Sequence, residues 1–422
     1  MVFANEQGQV LEQPGWAMTG RLGEQLVEPT AAEVIPLPEG ATLTLLPERH
    51  PIGINPNGEF RALTRDPWQR REKPALAVGA LLPQGYTRTL TPAYLPQKKA
   101  KPLPLFGYAA VGLANGRLWV AARQTDEDRT WNPRYYDTPE LTERVQAKLS
   151  RYPQNRVLRQ LARCAQEYSC FTAQNLFYGR WEAGLPVSPA CNARCVGCIS
   201  EQAAECCPSP QQRIRFKPSV AEIVEVAVPH LETAEAAIIS FGQGCEGEPS
   251  LRGEELAQAI RQIRQQTDRG TINMNSNASR PENIAAICAA GLDALRVSLI
   301  SANPDLYQSY HRPQGYGLAQ VRTSIQRAVE QNVYVSLNLL LFPGVTDRDE
   351  EVEALLNLVR ETGLSMIQLR NLNLDPEIFL KLVPPASGPS LGIPAFLEIL
   401  QAELPGVKLG NYSREATRRT AK

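Results

Sequence analysis

No stretch of the chain approaches the roughly eighteen consecutive apolar residues that a membrane-spanning helix requires. Met1-Val2-Phe3-Ala4-Asn5-Glu6-Gln7 also lacks the apolar core of a secretory signal. Both absences predict a soluble protein of the cytoplasm with no membrane partner. Charge of neither sign is in excess, because 44 Lys and Arg balance 44 Asp and Glu. No global field therefore gathers nucleic acid, and such a partner has no support in the composition. The nine cysteines are an odd number in a chain of 422 residues, which excludes the disulfide framework of small secreted domains. A structural zinc site lacks its usual parts too: no second C-x2-C pair exists, and the nearest histidine downstream of the first is His230.

What the chain does have is Cys191-Asn192-Ala193-Arg194-Cys195-Val196-Gly197-Cys198, three cysteines spaced C-x3-C-x2-C after a short apolar segment. Three thiolates on one loop can hold a metal or an iron–sulfur cluster and leave one coordination position for a group that is not protein. An open position suggests catalysis.

Proline divides the chain, with fourteen of its 34 in the first 110 residues, beside short alternating runs. Proline suits strand edges and loops, so this region reads as β-rich. Strands are predicted at Ala41 to Leu46 and Ala75 to Leu82, and a hairpin turns about Asn115-Gly116, a pair that tolerates the positive φ of a type I′ turn. A polar, aromatic linker is expected from Asp126 to Asp137. Helical pattern begins at Thr138, a candidate N-cap before Pro139, and a second helix follows Tyr152-Pro153.

Beyond the cysteines, apolar β-branched runs alternate with amphipathic windows, the pattern of parallel βα units. Strands are predicted at Leu185 to Ser188, Ala236 to Phe241, Gly270 to Ser276, Ala294 to Ile300, Val333 to Leu341 and Ser365 to Leu372. Helices are predicted at Ser219 to His230, Gly253 to Thr267, Pro281 to Ala290, Leu318 to Gln331 and Asp349 to Thr362. The fold class that results is α/β, a partial (βα)6 TIM-like barrel with an N-terminal β-rich domain. The expected domains are 1–125, a helical connector 126–180, the barrel 181–375 and a C-terminal extension 376–422 covering its open side. Chemistry in such barrels sits at the C-terminal strand ends.

The cysteine spacing, together with Glu246-Gly247-Glu248-Pro249 at the end of the second strand, resembles the radical S-adenosylmethionine (radical SAM) superfamily over roughly Leu185 to Asp375. The resemblance implies that Cys191, Cys195 and Cys198 ligate a [4Fe–4S] cluster whose fourth iron is chelated by SAM. It implies too that Gly247 and Glu248 face the SAM amino group, Glu246 replacing the first glycine of the family's Gly-Gly-Glu-Pro element. Asn275, Asn277, Ser298 and Asn338, at strand ends, are the polar residues expected near the SAM ribose or carboxylate. His311 and Arg312 fall in a stretch that lies near SAM and substrate in several subgroups, the alternative for His311 being a surface or capping residue.

In one respect the loop departs from many members, which carry an aromatic residue where Gly197 stands. Adenine contacts are then expected from Val196, Ile199 or the loop after the fifth strand, which has no Gly-x-Ile-x-Gly pattern. Arg370 and Gln368 are expected to face the barrel interior. Cys245 is a candidate hydrogen-atom donor, weighed against a packed thiol. Cys164, Cys170, Cys206 and Cys207 are candidates for an auxiliary cluster, whereas a C-terminal SPASM domain has no cysteine pattern to support it.

The expected function is reductive cleavage of SAM to a 5′-deoxyadenosyl radical that abstracts hydrogen from a substrate, either a peptide or protein recognised by the β-rich domain or a small molecule or RNA. Ferredoxin or flavodoxin is the expected class of electron donor. The non-enzymatic alternative is a zinc-stabilised binding protein using Cys191, Cys195, Cys198 and either Cys206 or Cys207.

Overall fold

The computed structural model describes residues 1–69, 73–126, 130–201 and 209–416. The chain forms two compact units: Met1–Asp128 with Leu341–Glu353 and Leu369–Pro405, and Arg129–Leu340 with Ala354–Gln368 and Gly406–Lys422.

The first unit is built from short antiparallel strands. Thr42–Leu46 pairs with Ala77–Leu81, and the Asn115-Gly116 hairpin joins Val111–Ala114 to Arg117–Gln124 with positive φ at both turn residues. Val2, Ala4, Val78, Ala80, Ala109, Val111, Val120 and Ala122 make one of its cores. Two buried cations fasten the later segments of this unit to its strands. Arg49 pairs with Asp375 at 2.8 Å, and Arg88 donates to the Leu372 carbonyl at 2.7 Å, its guanidinium held down to about 9 by burial.

The second unit opens with helices α1 (Leu141–Arg151), α2 (Arg156–Glu167) and α3 (Phe171–Tyr178). Helix α1 starts two residues after the expected proline, because the Thr138 hydroxyl and N–H engage the Tyr178 hydroxyl instead of capping it. Helix α3 is unpredicted: its run Phe-Thr-Ala-Gln-Asn-Leu-Phe-Tyr is mostly buried and carries no amphipathic period. Part of the expected linker is packed, since Trp131 and Tyr136 are buried and Tyr136 stacks on Phe171 at 3.7 Å between ring centroids.

A seven-stranded parallel sheet follows: β1 (Arg180–Gly184), β2 (Glu235–Phe241), β3 (Thr271–Ser276), β4 (Ala294–Leu299), β5 (Tyr334–Leu341), β6 (Met366–Asn371) and β7 (Lys408–Gly410), in sequence order. Helices α4 (Val220–Thr233), α5 (Gly253–Gln266), α6 (Pro281–Ala289), α7 (Pro304–His311), α8 (Leu318–Glu330) and α9 (Asp349–Thr362) connect them. The first strand lies earlier than the Leu185 to Ser188 expected from its apolar run. Those residues instead lead from β1 to the cysteine loop, with Leu185 still bonded to Ser240. The seventh strand is too short to carry a sequence pattern.

Alternation along the strands separates two faces. Ile239, Phe241, Ile272, Met274, Leu295, Val297, Leu299, Val335, Leu337, Leu339 and Ile367 are buried and occupy one face. The other carries Glu182, Ser240, Asn273, Asn275, Arg296, Ser298, Ser336, Asn338 and Gln368. Arg296 on β4 reaches Glu182 on β1 at 3.3 Å, two strands being skipped, so the sheet curls around this polar face as a partial barrel.

Candidate active site

The cysteine loop follows β1 and is held by backbone bonds from two directions. Gly247 and Glu248 donate to the Ser188 and Ala190 carbonyls, both at 2.7 Å. From the end of α7, the Tyr310 carbonyl accepts from Val196 at 3.0 Å and the His311 carbonyl from Arg194 at 3.1 Å. Asn192 accepts from Asn277 at 2.9 Å and donates to the Ser279 hydroxyl at 2.9 Å, which ties the loop to the end of β3. Gly247 is required at its place, because a Cβ there would collide with the Ala190 carbonyl. A Cβ on Gly197 would lie 2.6 Å from the Tyr310 hydroxyl, so Tyr310 of α7 fills the space beside Gly197.

The three expected ligand thiols differ in their surroundings. Cys195 Sγ lies 3.2 Å from His311 Nδ1, and Cys198 Sγ lies 3.5 Å from an Arg213 nitrogen. Burial and the nearby Glu248 push the Cys191 thiol up to about 11; burial, with Cys191 and Cys198 as neighbours, pushes Cys195 further. Positive charge beside thiols so placed favours their ionisation, and the iron of a cluster would supply it. Among the described residues no three Cys, His, Asp or Glu side chains converge on a single metal ion. Cys206 and Cys207 lie outside the described residues.

Glu246 and Glu248 are both buried, and both serve the backbone. Glu246 accepts from Val187 (2.7 Å), Ser188 (2.9 Å) and Gly242 (2.5 Å), which staples the end of β1 to the turn after β2. Burial still pushes its carboxyl up to about 8. Glu248 accepts from Ser276 (2.6 Å), Ser250 (2.9 Å) and Asn277 (2.7 Å), with burial raising its pKa. A carboxylate offers about four lone-pair positions, so these three bonds leave Glu248 room for one further donor.

Ser298 and Asn338 are register partners on β4 and β5, both half-buried on the polar face. Asn338 Oδ1 is buried with no hydrogen-bond partner, an acceptor able to take a further donor. Asn275 accepts from Asn273 at 3.3 Å. Deeper on the same face, Glu182 accepts from Ser240 (2.6 Å), Gln243 (3.1 Å) and Arg296, and Ser413 bridges Glu182 and Arg296. Gln368 donates to Ser336 at 3.4 Å, also on this face, whereas Arg370 belongs to the other unit and bonds Gln84 there at 3.2 Å. Neither Glu182 nor the staple at Glu246 was singled out from sequence. The every-second-residue polarity of Asn273-Met274-Asn275, Arg296-Val297-Ser298 and Ser336-Leu337-Asn338 is the signal that finds the face.

Cys245 is buried, and its thiol meets that of Cys164 while Cys170 lies close by. These thiols come from the turn after β2, from α2 and from the start of α3.

Residues 185–359 match the family model described as the radical SAM superfamily. A probable GTP 3′,8-cyclase of Methanosarcina acetivorans is 29% identical over 211 residues, 48% of this chain and 58% of that protein. A probable GTP 3′,8-cyclase of Thermococcus kodakarensis is 32% identical over 127 residues, 29% of this chain and 39% of that protein. The chain thus spans about half the length of the curated relatives it matches. Among solved structures, a radical SAM methyltransferase from Sphaerobacter thermophilus aligns with a TM-score of 0.38 at 21% identity, over 54% of this chain and 65% of that one. The parallel half-barrel with a cysteine loop after its first strand defines the class, an α/β half-barrel domain. Residues 185–359 are thus similar to the radical SAM superfamily, whose cofactors are a [4Fe–4S] cluster and SAM.

Proposed function

We propose that this chain is a radical SAM enzyme acting on a small polar substrate held against the inner face of the half-barrel. The observation that carries the reading is that face: a closed parallel barrel fills its interior with branched apolar side chains, whereas this one lines it with hydrogen-bonding groups from six strands. When bound, the cluster and SAM together supply one-electron reductive cleavage and a 5′-deoxyadenosyl radical.

The chain's own residues bind and orient. Cys191, Cys195 and Cys198 hold the cluster. The Gly247 backbone and the remaining position of Glu248 receive the SAM ammonium, a charge-assisted contact. Asn338 Oδ1 accepts from a ribose hydroxyl, with Ser298 and Asn275 beside it. Tyr310 supplies an aromatic wall where the loop has Gly197. For Cys245, burial and its contact with Cys164 favour the packed thiol over the hydrogen-atom donor.

The relatives named GTP 3′,8-cyclase make a purine nucleotide the first substrate class to test, ahead of a peptide or RNA. A one-electron donor of the ferredoxin or flavodoxin class completes the system. Among the described residues no helix is long and apolar enough to cross a membrane.

The test is metal analysis of anaerobically purified protein. Iron and sulfide near four each per chain support the reading, as does their loss in Cys191→Ala, Cys195→Ala and Cys198→Ala. Zinc at one per chain, without sulfide, favours the binding-protein alternative. Nucleotides and short peptides are then compared for stimulation of SAM cleavage.

A further inference from the structure

We infer that His311 and Arg213 are positioning residues that set the reduction potential of the cluster, by donating hydrogen bonds to two of its three thiolate ligands. The inference rests on the proposal that Cys191, Cys195 and Cys198 hold a [4Fe–4S] cluster.

The proton on His311 is assigned by its neighbours. Ile300 N–H donates to Nε2 at 3.1 Å, so Nε2 presents a lone pair and the ring proton resides on Nδ1. Nδ1 lies 3.2 Å from Cys195 Sγ, within reach for an N–H···S bond. The ring cannot turn away. It is fully buried, with Tyr307 at 4.6 Å and Tyr310 edge-on at 5.0 Å between centroids. Its own carbonyl accepts from Arg194 in the cysteine loop, and Arg312 ends α7 in the left-handed region, so helix end and loop are locked in register.

Arg213 supplies the second donor. One guanidinium nitrogen lies 3.5 Å from Cys198 Sγ, Nε donates to Ser200 at 3.2 Å, and Glu201 pairs with the remaining nitrogen. Ser200 Oγ itself stands 3.7 Å from Cys198 Sγ. The side chain is therefore fixed by three partners with one edge toward sulfur. Cys191 differs: its hydrogen bond comes from the Ala193 backbone, and Glu248 is a stronger influence on it than Arg213.

Hydrogen bonds to the sulfurs, and positive charge near them, favour the more negative reduced cluster and so raise its potential. The two donors make the first electron easier to accept at the Cys195 and Cys198 side.

The experiment is an EPR-monitored redox titration of the anaerobically reconstituted full chain, with iron and sulfide counted in each variant. In His311→Leu the ratio of reduced to oxidised cluster at a fixed poise is expected to fall about tenfold, equivalent to a midpoint ~59 mV lower for a one-electron couple. In His311→Asn, whose amide reaches the place of Nδ1, the midpoint returns toward wild type. Arg213→Gln lowers it and Arg213→Lys largely preserves it. Should His311→Leu fail to fold, the Arg213 pair and His311→Asn still decide. Variants with full iron and sulfide and unchanged midpoints overturn the inference while leaving the cluster assignment intact. Wild-type protein that takes up no cluster overturns the assignment and the inference together.

Discussion

Glu246 occupies the place where the superfamily element has glycine, and its carboxylate is what holds the ends of β1 and β2 together. Removing it strands three N–H groups, two of them buried. Each such group costs about 1–3 kcal/mol, so Glu246→Ala is expected to destabilise the apo protein by about 3 kcal/mol or more in urea denaturation, and Glu246→Gln by less. An Ala variant with an unshifted midpoint would mean the staple is not needed. Gly247→Ala acts differently: its methyl meets the Ala190 carbonyl, so the backbone expected to face the SAM ammonium must move. Calorimetry of the reconstituted protein should show SAM affinity lower by at least about tenfold, ~1.4 kcal/mol, with iron content preserved. The cysteines and Gly247 were legible because chemistry and steric need restrict those positions to one residue type. The task of Glu246 was not, because its partners are backbone amides that leave no mark in sequence.

Among the elements, strands β2 to β6 and helices α4, α5, α6, α8 and α9 stand within a few residues of where periodicity put them. Their two faces differ in polarity, so period and burial agree. Where they disagree, sequence misled: the apolar Leu185 to Ser188 reads as a strand yet forms a lead-in, and α3 has no polar face to betray it. Helix α4 also carries the one histidine whose titration tests packing away from the cysteine loop. His230 Nε2 lies 2.8 Å from the Trp181 carbonyl, and burial holds its pKa down to about 4. Between pH 4 and about 6.5 the unfolded chain binds a proton that the folded one refuses. Stability contributed by neutral His230 is therefore full above that window and lost as pH falls through it, by about 3 kcal/mol at most. Thermal melts of apo protein should fall across this range, and His230→Gln should flatten that slope. An identical slope in the variant would assign the acid sensitivity to other groups.

At the scale of the barrel unit, the polar face is the feature that a list of elements does not convey. Each strand contributes only one or two polar residues, and a lone Asn or Ser in a strand reads as ordinary; curvature gathers them. The Glu182–Arg296 contact across skipped strands, with Ser413 from the C-terminal segment, closes the deep end of that face. Breaking a buried pair by removing one charge costs about 3–5 kcal/mol, so Glu182→Gln should lower the unfolding free energy by that order. If its unfolding curve overlays that of wild type, the pair is not what shapes the chamber. The small-molecule reading depends on this polar face.

The proposed activity is reductive cleavage of SAM at a cluster held by Cys191, Cys195 and Cys198. The most direct measurement is 5′-deoxyadenosine and methionine released from SAM by anaerobically reconstituted protein with dithionite, followed by chromatography. Equal amounts of both products are expected from wild type and none above background from Cys195→Ala. Wild-type protein carrying an intact [4Fe–4S] cluster that releases neither product would contradict it.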